Sequence, residues 1–365
     1  MLFNSMFRRA ALAAALLTST ASAQSSTACN NSPSLCSRSY SNVTHLGAHD
    51  SPFLRDSSTS FSDSGNQFYN STVQLSAGVR LLSAQVHNNN GSLHLCHSSC
   101  TLLDAGTLSS WLSGVKTWMD SNPNEVVTLL LVNSDNTDAS TLASHFTTSG
   151  IEKYTYTPAS TTQAQATWPT LQQMISNGTR LVTFVANLDP STNTVAPYLL
   201  EEFTFAFENN YDVSVASNFS CQPDRPSAVS GQPAAALKSN RLFIMNHFLY
   251  STSNLLGLTI EQPNEDAVNV TNAQSGSGSL GEAASSCTTL YGKKPFAVLV
   301  DFFNVGPAIA TVDSLNAISG ASGRTQVSTE KLSASNPGTS SSGSGRIGVS
   351  GMALILAFAV AFMSS

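Results

Sequence analysis

Four residues of this sequence have the chemical types needed for proton transfer, and they lie where apolar segments end or where two cysteines are close together. His49 and Asp50 end the segment THLGAHD, His97 lies inside LCHSSC, and Asp301 ends the apolar segment FAVLVD. An imidazole oriented by a carboxylate can act as a general base or as a general acid. Two such pairs suit transfer at phosphorus, because one proton leaves the nucleophile while another reaches the leaving oxygen.

Four further histidines are expected to have other roles. A single histidine on a strand is usually a structural residue whose ring finds a partner, and this is the expectation for His45 and His247. His45 shares a strand face with His49, because side chains alternate along a strand. His145 lies in a helical pattern and is expected at the surface, whereas the role of His87 is left open.

The elements that must position these residues alternate between buried strands and amphipathic helices. The predicted strands are short and apolar on both faces, as parallel strands covered by helices are. They are VVTLLLV (126–132), RLVTFVA (180–186), FTFAF (203–207), RLFIM (241–245) and FAVLVDFF (296–303), and the predicted helices cover 107–123, 170–178, 281–292 and 307–319. The alternation predicts one α/β domain over residues 24–318, a (β/α)8 TIM-type barrel, regular or irregular, with an open doubly wound sheet as the second choice.

Side chains at the carboxyl ends of the strands carry the chemistry in such barrels. Polar residues that follow the apolar runs are therefore candidates for substrate binding, and a basic residue in the loop after His49 is a candidate cation. The set is Gln85, His87, Arg55, Asn133 and Glu208.

Both ends of the chain carry the signals of a secreted and anchored protein. Residues 1–23 combine a basic start, an apolar run and an Ala-Ser-Ala cleavage site, and are predicted to be a signal peptide rather than a buried helix. Residues 319–342 are predicted to be a Ser/Gly-rich stalk. Residues 343–365 are predicted to be a glycosylphosphatidylinositol (GPI) attachment signal, with Ser342 as the attachment residue and a tail-anchor helix as the alternative. The expected location is the cell surface, on the plasma membrane through the GPI anchor or in the cell wall.

An oxidising compartment gives the six cysteines a role as disulfides. Proximity along the chain favours the pairs Cys29–Cys36 and Cys96–Cys100, which leaves Cys221–Cys287. No spacing of cysteines and histidines matches a zinc site, and calcium prefers more carboxylates than the motifs offer. No metal and no cofactor are predicted.

The surface is expected to be polar through Ser, Thr, Asn and glycans rather than through charge. Charged residues make up 10% of the chain and the net charge is -6, which argues against binding to nucleic acid and against electrostatic binding to anionic lipid. A monomer is expected. The predicted N-glycosylation sites are Asn30, Asn42, Asn70, Asn90, Asn177, Asn218 and Asn269.

On these motifs the chain resembles the phosphatidylinositol-specific phospholipase C X-domain superfamily, and more narrowly its fungal GPI-anchored PLC-like phosphodiesterases. GAHDSPF is similar to the first-strand motif, GVRLLSAQVHNNNGSLHLCHSSC to the second-strand region, NPNEVVTLLLV to the third strand and FAVLVDFFN to the last, over residues 29–318. The resemblance implies His49 as general base supported by Asp301, and His97 as general acid supported by Asp50. It also implies attack of an inositol 2-hydroxyl on phosphorus, a cyclic phosphodiester product and diacylglycerol as leaving group.

One position departs from the family pattern. Gln85 stands where bacterial members have an arginine and calcium-dependent members an acidic ligand, and Ser83 occupies a position that is often acidic. A phosphoryl transition state needs positive charge beside its oxygens. Protonated His87 or Arg55 would have to supply that charge.

Two functional hypotheses of different classes follow, with a third behind them. The first is a phosphodiesterase that needs no metal and cleaves an inositol phospholipid, a GPI or a related cell-surface diester. The second is a catalytically weak or inactive barrel that binds a glycan or a lipid headgroup, and the third is a structural cell-wall mannoprotein. The set of two histidines and two aspartates favours the first hypothesis, whereas the missing cation favours the second.

Overall fold

The computed structural model describes residues 28–255 and 258–337, and for residues 253–260 within these ranges it describes the backbone alone. The predicted signal peptide, Ser342 and the GPI signal lie outside these residues. The described strands are β1 (His45–Ala48), β2 (Leu81–Asn89), β3 (Ser92–Cys96), β4 (Asp104–Thr107), β5 (Val127–Asn133), β6 (Leu181–Ala186), β7 (Leu199–Glu201), β8 (Ala206–Asn209), β9 (Pro223–Arg225), β10 (Leu242–Asn246), β11 (Tyr250–Leu255), β12 (Leu258–Pro263) and β13 (Ala297–Val300). The described α-helices are α1 (Ser71–Ala77), α2 (Leu108–Ser121), α3 (Ala139–Ser149), α4 (Leu171–Ser176), α5 (Glu202–Phe205), α6 (Pro233–Lys238), α7 (Val268–Thr271), α8 (Leu280–Tyr291) and α9 (Ala308–Leu315).

Eight of these strands form a curled parallel sheet whose order follows the chain. The hydrogen-bonded order is β7-β6-β5-β2-β1-β13-β10-β8, so the last parallel strand returns to pair with the first. No ladder joins β7 to β8 within the described residues, and the short helix α5 links them. The fold is therefore the predicted TIM-type barrel with one open seam, and the sequential order excludes a doubly wound sheet.

Alternate residues of each strand enter two different apolar cores. Leu81, Leu130 and Leu299 pack inside the barrel, whereas their neighbours on the strands, such as Leu82 and Leu129, pack under the helices. This two-sided burial explains why the strands are apolar on both faces.

Strand β1 is unusual because its inward face is polar. His45 faces the barrel interior, beside the rings of Tyr40 and Phe296, and burial lowers its pKa to about 4. At Gly47 a Cβ atom would lie 2.6 Å from Leu299 Cδ2, so a larger residue between the two histidines of this face would require Leu299 to move. The expectation that His45 is structural agrees with this position.

One predicted strand is partly wrong. Residues 203–207 (FTFAF) begin as helix α5 and become strand β8 only at Ala206. The carboxylate of Glu201 accepts hydrogen bonds from the backbone N–H groups of Phe203 (3.0 Å) and Thr204 (2.6 Å), which caps a helical turn at this point. The apolar run was read as one strand because its rings alternate.

Disulfides link the pairs predicted from proximity, namely Cys29–Cys36, Cys96–Cys100 and Cys221–Cys287. Among the predicted glycosylation sites, Asn30 is an exception. Its side chain is buried and accepts a hydrogen bond from Val126 N (2.7 Å), so the fold leaves no room for a glycan there. The other six asparagines are exposed.

The start of the predicted stalk lies against the barrel. We call residues 319–332 the C-terminal strap. Arg324 forms two hydrogen bonds with Asp313 (2.6 and 2.8 Å), and Thr325 N donates to Ser76 O (2.8 Å). At the far end Leu332 is buried. Among the described residues no helix is long and apolar enough to cross a bilayer.

Candidate active site

The barrel topology brings His49 and Asp301 together although they are far apart in the sequence. Ala48 of β1 pairs with Val300 of β13, and each of the two residues is the next one along its strand. His49 Nδ1 donates to Asp301 Oδ1 at 2.9 Å, and Asn66 Nδ2 donates to the same oxygen at 3.0 Å. Because Nδ1 carries the proton in this arrangement, Nε2 is left to accept one.

The His49 ring is held between an aromatic ring and several carboxylates. Phe248 stacks on it at 3.7 Å with an angle of 4°, and Asp50 Oδ2 lies 3.7 Å from its Nε2. Burial alone lowers the pKa of His49, but the carboxylates of Asp50, Asp301 and Glu208 outweigh it and raise the pKa above its usual value. The site therefore favours the imidazolium form of His49.

His97 faces the same carboxylate from the other side. It follows β3 inside the loop closed by Cys96–Cys100, and its backbone N–H donates to Leu103 O at 3.0 Å. Its Nε2 lies 3.8 Å from Asp50 Oδ2. Burial lowers the pKa of His97, and the carboxylate of Asp50 opposes this only in part.

The two Nε2 atoms thus lie near the same oxygen of Asp50. The distances of 3.7 and 3.8 Å are longer than hydrogen bonds, so neither histidine holds Asp50 tightly. Both rings nevertheless approach the same oxygen, Asp50 Oδ2. Asp50 lies at nearly the same distance from both histidines, whereas the family resemblance implies that it supports His97 alone.

Gln85 links Asp50 to the loop that carries His97. Its Nε2 donates to Asp50 Oδ2 (2.7 Å), and its Oε1 accepts from Ser98 N (2.9 Å). Ser83 Oγ accepts from Asp50 N (2.8 Å). Gln85 therefore lies in the site as predicted, as a neutral group that already has both partners.

An arginine that sequence reasoning missed lies on the wall formed by β8 and β9. Arg225 forms an ion pair with Glu208, and its guanidinium lies 4.3 Å from the centre of the Tyr211 ring. Asn246 Nδ2, at the end of β10, donates to Glu208 Oε2 (3.2 Å). The Arg225 side chain is 38% exposed, so this cation is accessible from solvent.

A buried acid stands behind this ion pair. Glu202 in α5 is fully enclosed, and burial, together with the neighbouring Glu208 carboxylate, raises its pKa well above the usual value. The wall thus combines one arginine with two glutamic acids, and the buried one, Glu202, has a raised pKa. Such a wall offers both donors and acceptors to a polyol.

Three other predicted residues do not approach the two histidines through their polar atoms. His87 Nδ1 lies 3.4 Å from Asp135 Oδ1. All three guanidinium nitrogens of Arg55 are engaged, by Glu265 and by the carbonyls of Ser62 and Asp63. The side chain of Asn133 bonds to the backbone at Thr137 and Asn187 and closes the loop after β5. These contacts of Arg55 and Asn133 thus hold neighbouring loops in place.

Close metal-ligating groups are rare in the described part of the chain. The cluster that comes together most closely consists of Cys96, Cys100 and Asp104. Both sulfurs belong to a disulfide and cannot act as thiolate ligands. This cluster therefore fits no metal.

A TIM-type barrel with two histidines and two aspartates at the carboxyl ends of its strands is typical of phospholipase C-like phosphodiesterases. Comparison of this chain with known proteins leads to the same class. The family model described as PI-PLC X matches residues 35–316, and the chain belongs to this family. A PI-PLC X domain-containing protein 1 of Arthroderma benhamiae is 38% identical over 292 residues, which cover 80% of this chain and 90% of the relative.

Two further comparisons bear on location and fold. A protein of the same fungus named only as an uncharacterized secreted protein is 38% identical over 279 residues, or 76% of this chain, which spans 60% of that relative. The phosphatidylinositol-specific phospholipase C of Listeria monocytogenes matches with a TM-score of 0.51 at 15% identity, over 77% of this chain and 94% of its own. That likeness shows the fold alone.

Most of what sequence reasoning missed lies in segments without periodicity. Asn66 occurs in a turn-rich stretch, and Arg225 follows a cysteine and a proline in CQPDRP. Phe248 comes two residues after the end of β10, where the rule on strand ends could have found it. Asn66 and Arg225 carry no comparable signal.

Proposed function

We propose that the protein is a phosphodiesterase that cleaves an inositol phospholipid, a GPI or a related cell-surface diester, with His49 and His97 as its proton-transfer groups and without a metal. The carrying observation is that both Nε2 atoms face Asp50 Oδ2, at 3.7 and 3.8 Å. Family membership supports a phosphodiesterase-like activity. The substrate and the assignment of each histidine are part of the proposal.

In the proposed reaction His49 Nε2 accepts the proton of the attacking hydroxyl. That hydroxyl oxygen forms a bond to phosphorus, the bond from phosphorus to the leaving oxygen breaks, and His97 Nε2 donates a proton to that oxygen. With inositol as nucleophile the product is a cyclic phosphodiester. Asp301 stabilises the imidazolium that forms on His49, because its carboxylate accepts a hydrogen bond from Nδ1–H and carries the opposite charge.

Arg225 is the proposed cation for the substrate. Gln85 is neutral, and Arg55 already has a partner for each nitrogen. Arg225 is accessible, and beside it Tyr211 offers an aromatic face and Glu208 an acceptor for hydroxyl groups. Binding of a sugar or cyclitol headgroup at this wall would place the diester towards His49.

The test is the release of a cyclic phosphate from phosphatidylinositol vesicles and from a GPI-anchored protein, followed by phosphorus NMR. We expect His49→Gln to lower kcat by about 10²–10⁴-fold, the usual contribution of one general base. The matched control is His145→Gln, which lies on α3 and contacts Ser109. No release by the unmodified protein from either substrate would contradict the proposal.

The second candidate function is binding of a glycan or lipid headgroup without turnover. The observation that favours it is the neutral Gln85 beside Asp50, in a mouth that also holds Asp301 and Glu208. Retention of the protein on inositol-containing vesicles, with no phosphate released and with loss of retention in Arg225→Gln, would support this function instead.

Secretion and anchoring are proposed on separate grounds. The name of one fungal relative supports secretion, and three disulfides suit an oxidising compartment. The GPI anchor is inferred from the sequence alone. Mass spectrometry of the C-terminal peptide of the natural protein tests it, and an unmodified peptide that continues to Ser365 would contradict it.

A further inference from the structure

The C-terminal strap is attached to the barrel at two separate places. At one place Arg324 contacts Asp313 and Asn31, and Ser322 exchanges hydrogen bonds with Asn31. Asn31 also accepts from Arg80, which directly precedes β2, so this attachment lies at the amino-terminal side of the strands.

The other attachment lies next to the proposed site. Asn304 is buried, and its Nδ2 donates to the strap carbonyls of Ser328 (2.8 Å) and Glu330 (3.2 Å). Leu332 packs in a small cluster that is separate from the two main cores. Its buried members are Phe68, Val268, Phe302, Val305 and Leu332.

Phe302 connects this cluster to the proposed chemistry. It follows Asp301 directly and has a φ of 44°, a left-handed conformation that is rare and unfavourable for an aromatic residue. Surrounding contacts must therefore hold it. Its ring lies 4.6 Å from that of Phe68, and Leu332 completes the cluster.

The backbone of Phe302 is tied to the group that orients Asp301. Phe302 N donates to Asn66 O (2.8 Å), and Asn66 Nδ2 donates to Asp301 Oδ1 (3.0 Å), the oxygen that accepts from His49. Asn272 Nδ2 lies within 3.0 and 3.2 Å of the carbonyls of Asp301 and Phe302. A shift of Phe302 would thus move Asp301 and its neighbour Asn66 together.

We propose that Leu332 of the C-terminal strap is a positioning residue, which holds Phe302 in its left-handed conformation and thereby keeps Asp301 against His49. The contacts of the strap beside the site run to Asn304, to the cluster of Phe302, and through Lys331 to Glu265, whose partner Arg55 lies over the Phe302 ring. The inference about kcat rests on the proposed function, whereas the inference about the geometry of His49 does not.

The test compares Leu332→Ala with Arg324→Ala in the full chain. The pKa of His49 is measured by NMR titration of its ring protons, and kcat and KM are measured on phosphatidylinositol. The charged and titratable groups that face His49 are Asp50, Asp301, Glu208 and His97. None of these is changed in either variant.

We expect Leu332→Ala to lower the pKa of His49 towards 6.5, because its contact with Asp301 loosens. We also expect kcat to fall about tenfold with little change in KM, less than the roughly hundredfold that a 1 Å displacement can cost. Arg324→Ala detaches the other end of the strap and should lower stability while the pKa of His49 stays unchanged. Leu332→Val, which removes one methylene, should give a smaller shift and serves if Leu332→Ala does not fold.

Two results would overturn the inference. One is an unchanged pKa of His49 in both Leu332 variants, and the other is an equal shift in Arg324→Ala. Because the titration needs no turnover, the inference and the proposed function fail separately. A shifted pKa of His49 in a protein without activity would support the inference about Leu332 and contradict the proposed function. Turnover that is lost in Leu332→Ala without a shift in this pKa would support the proposed function and contradict the inference.

Discussion

His49 and His97 differ in the direction of their pKa shifts, and this decides the expected pH dependence. The proposed base, His49, must be neutral, yet its pKa is raised; the proposed acid, His97, must be protonated, yet its pKa is lowered. The working pair is therefore a minority form at every pH. Below the lowered pKa of His97 its population falls, because His49 is then protonated as well. Above the raised pKa of His49 its population falls, because His97 has then lost its proton.

We therefore expect kcat/KM to be bell-shaped, with limbs on both sides of about 6.5. His87, which the sequence offered as a protonated cation for the site, has its Nδ1 3.4 Å from Asp135 Oδ1 and is not invoked in this dependence. Asp301→Asn removes a carboxylate that raises the pKa of His49, so the alkaline limb should move to lower pH. A rate profile confined below about pH 6.5 would contradict this expectation.

Gln85→Arg tests whether the mouth lacks positive charge. A guanidinium at this position can still donate to Asp50 but cannot accept from Ser98 N, so one hydrogen bond is lost. We expect kcat to rise, because charge beside a phosphoryl group is commonly worth several kcal/mol, and stability to fall by about 1–3 kcal/mol. Gln85→Met lacks both polar atoms and is the control. A fall in kcat with Gln85→Arg that exceeds the fall with Gln85→Met would contradict the expectation that added charge at this position helps the reaction.

At the residue scale the sequence predicted the groups that end strands and missed those on loops. His49 and Asp301 were predictable because apolar runs mark strands, and parallel strands align their carboxyl ends. Arg225 and Asn66 reach the site through turns, whose course depends on tertiary contacts. Arg55 shows the opposite error, because its position after His49 suggested a contact that Glu265 takes instead.

At the scale of elements, the disulfides separate stability from positioning. Cys96–Cys100 closes a loop of a few residues around His97, whereas Cys221–Cys287 spans 66 residues. Chain-entropy estimates give about 2 kcal/mol for the small loop and about 4 kcal/mol for the large one. The shorter disulfide should therefore matter more for activity than for folding.

We expect the double variant Cys221→Ser/Cys287→Ser to lose more stability in urea, and Cys96→Ser/Cys100→Ser to lose more kcat, with both measured on the folded protein. The physical reason is that His97 lies inside the loop that Cys96–Cys100 closes, and its backbone N–H donates a hydrogen bond to Leu103 O. Equal kcat in the two variants would contradict the positioning role of the small loop.

Most elements were predictable because their patterns are strong. Helix α2, predicted over 107–123, runs from Leu108 to Ser121, with Thr107 accepting from Ser110 N at its start. The hairpin of β2 and β3 and the hairpin of β11 and β12 were missed, since many of their residues are polar. These additions surround the mouth of the barrel.

At the scale of the molecule, a buried ion pair holds the side of the barrel opposite the site. Arg80 Nε donates to Glu125 Oε2 (2.8 Å), and both residues precede their strands. Glu125→Gln leaves the buried guanidinium without its counter-charge, and we expect a loss of about 3–5 kcal/mol in the free energy of unfolding. The kcat of the folded fraction should not change. Denaturation in urea and a rate assay test the two parts, and a large fall in kcat would contradict this division.

The course of the C-terminal strap also determines how an anchored molecule would face its surroundings. Leu332 is the last buried residue of the part of the chain that the structure describes, and it packs in the cluster of Phe302, next to Asp301. Ser342 lies ten positions further along the chain, and even when fully extended this stretch spans at most about 36 Å. If the anchor forms as the sequence predicts, the segment between the barrel and the membrane is short and begins near the carboxyl end of β13, beside the proposed active site. Such a tether would raise the local concentration of lipids in the same leaflet and would disfavour reaction with a facing membrane.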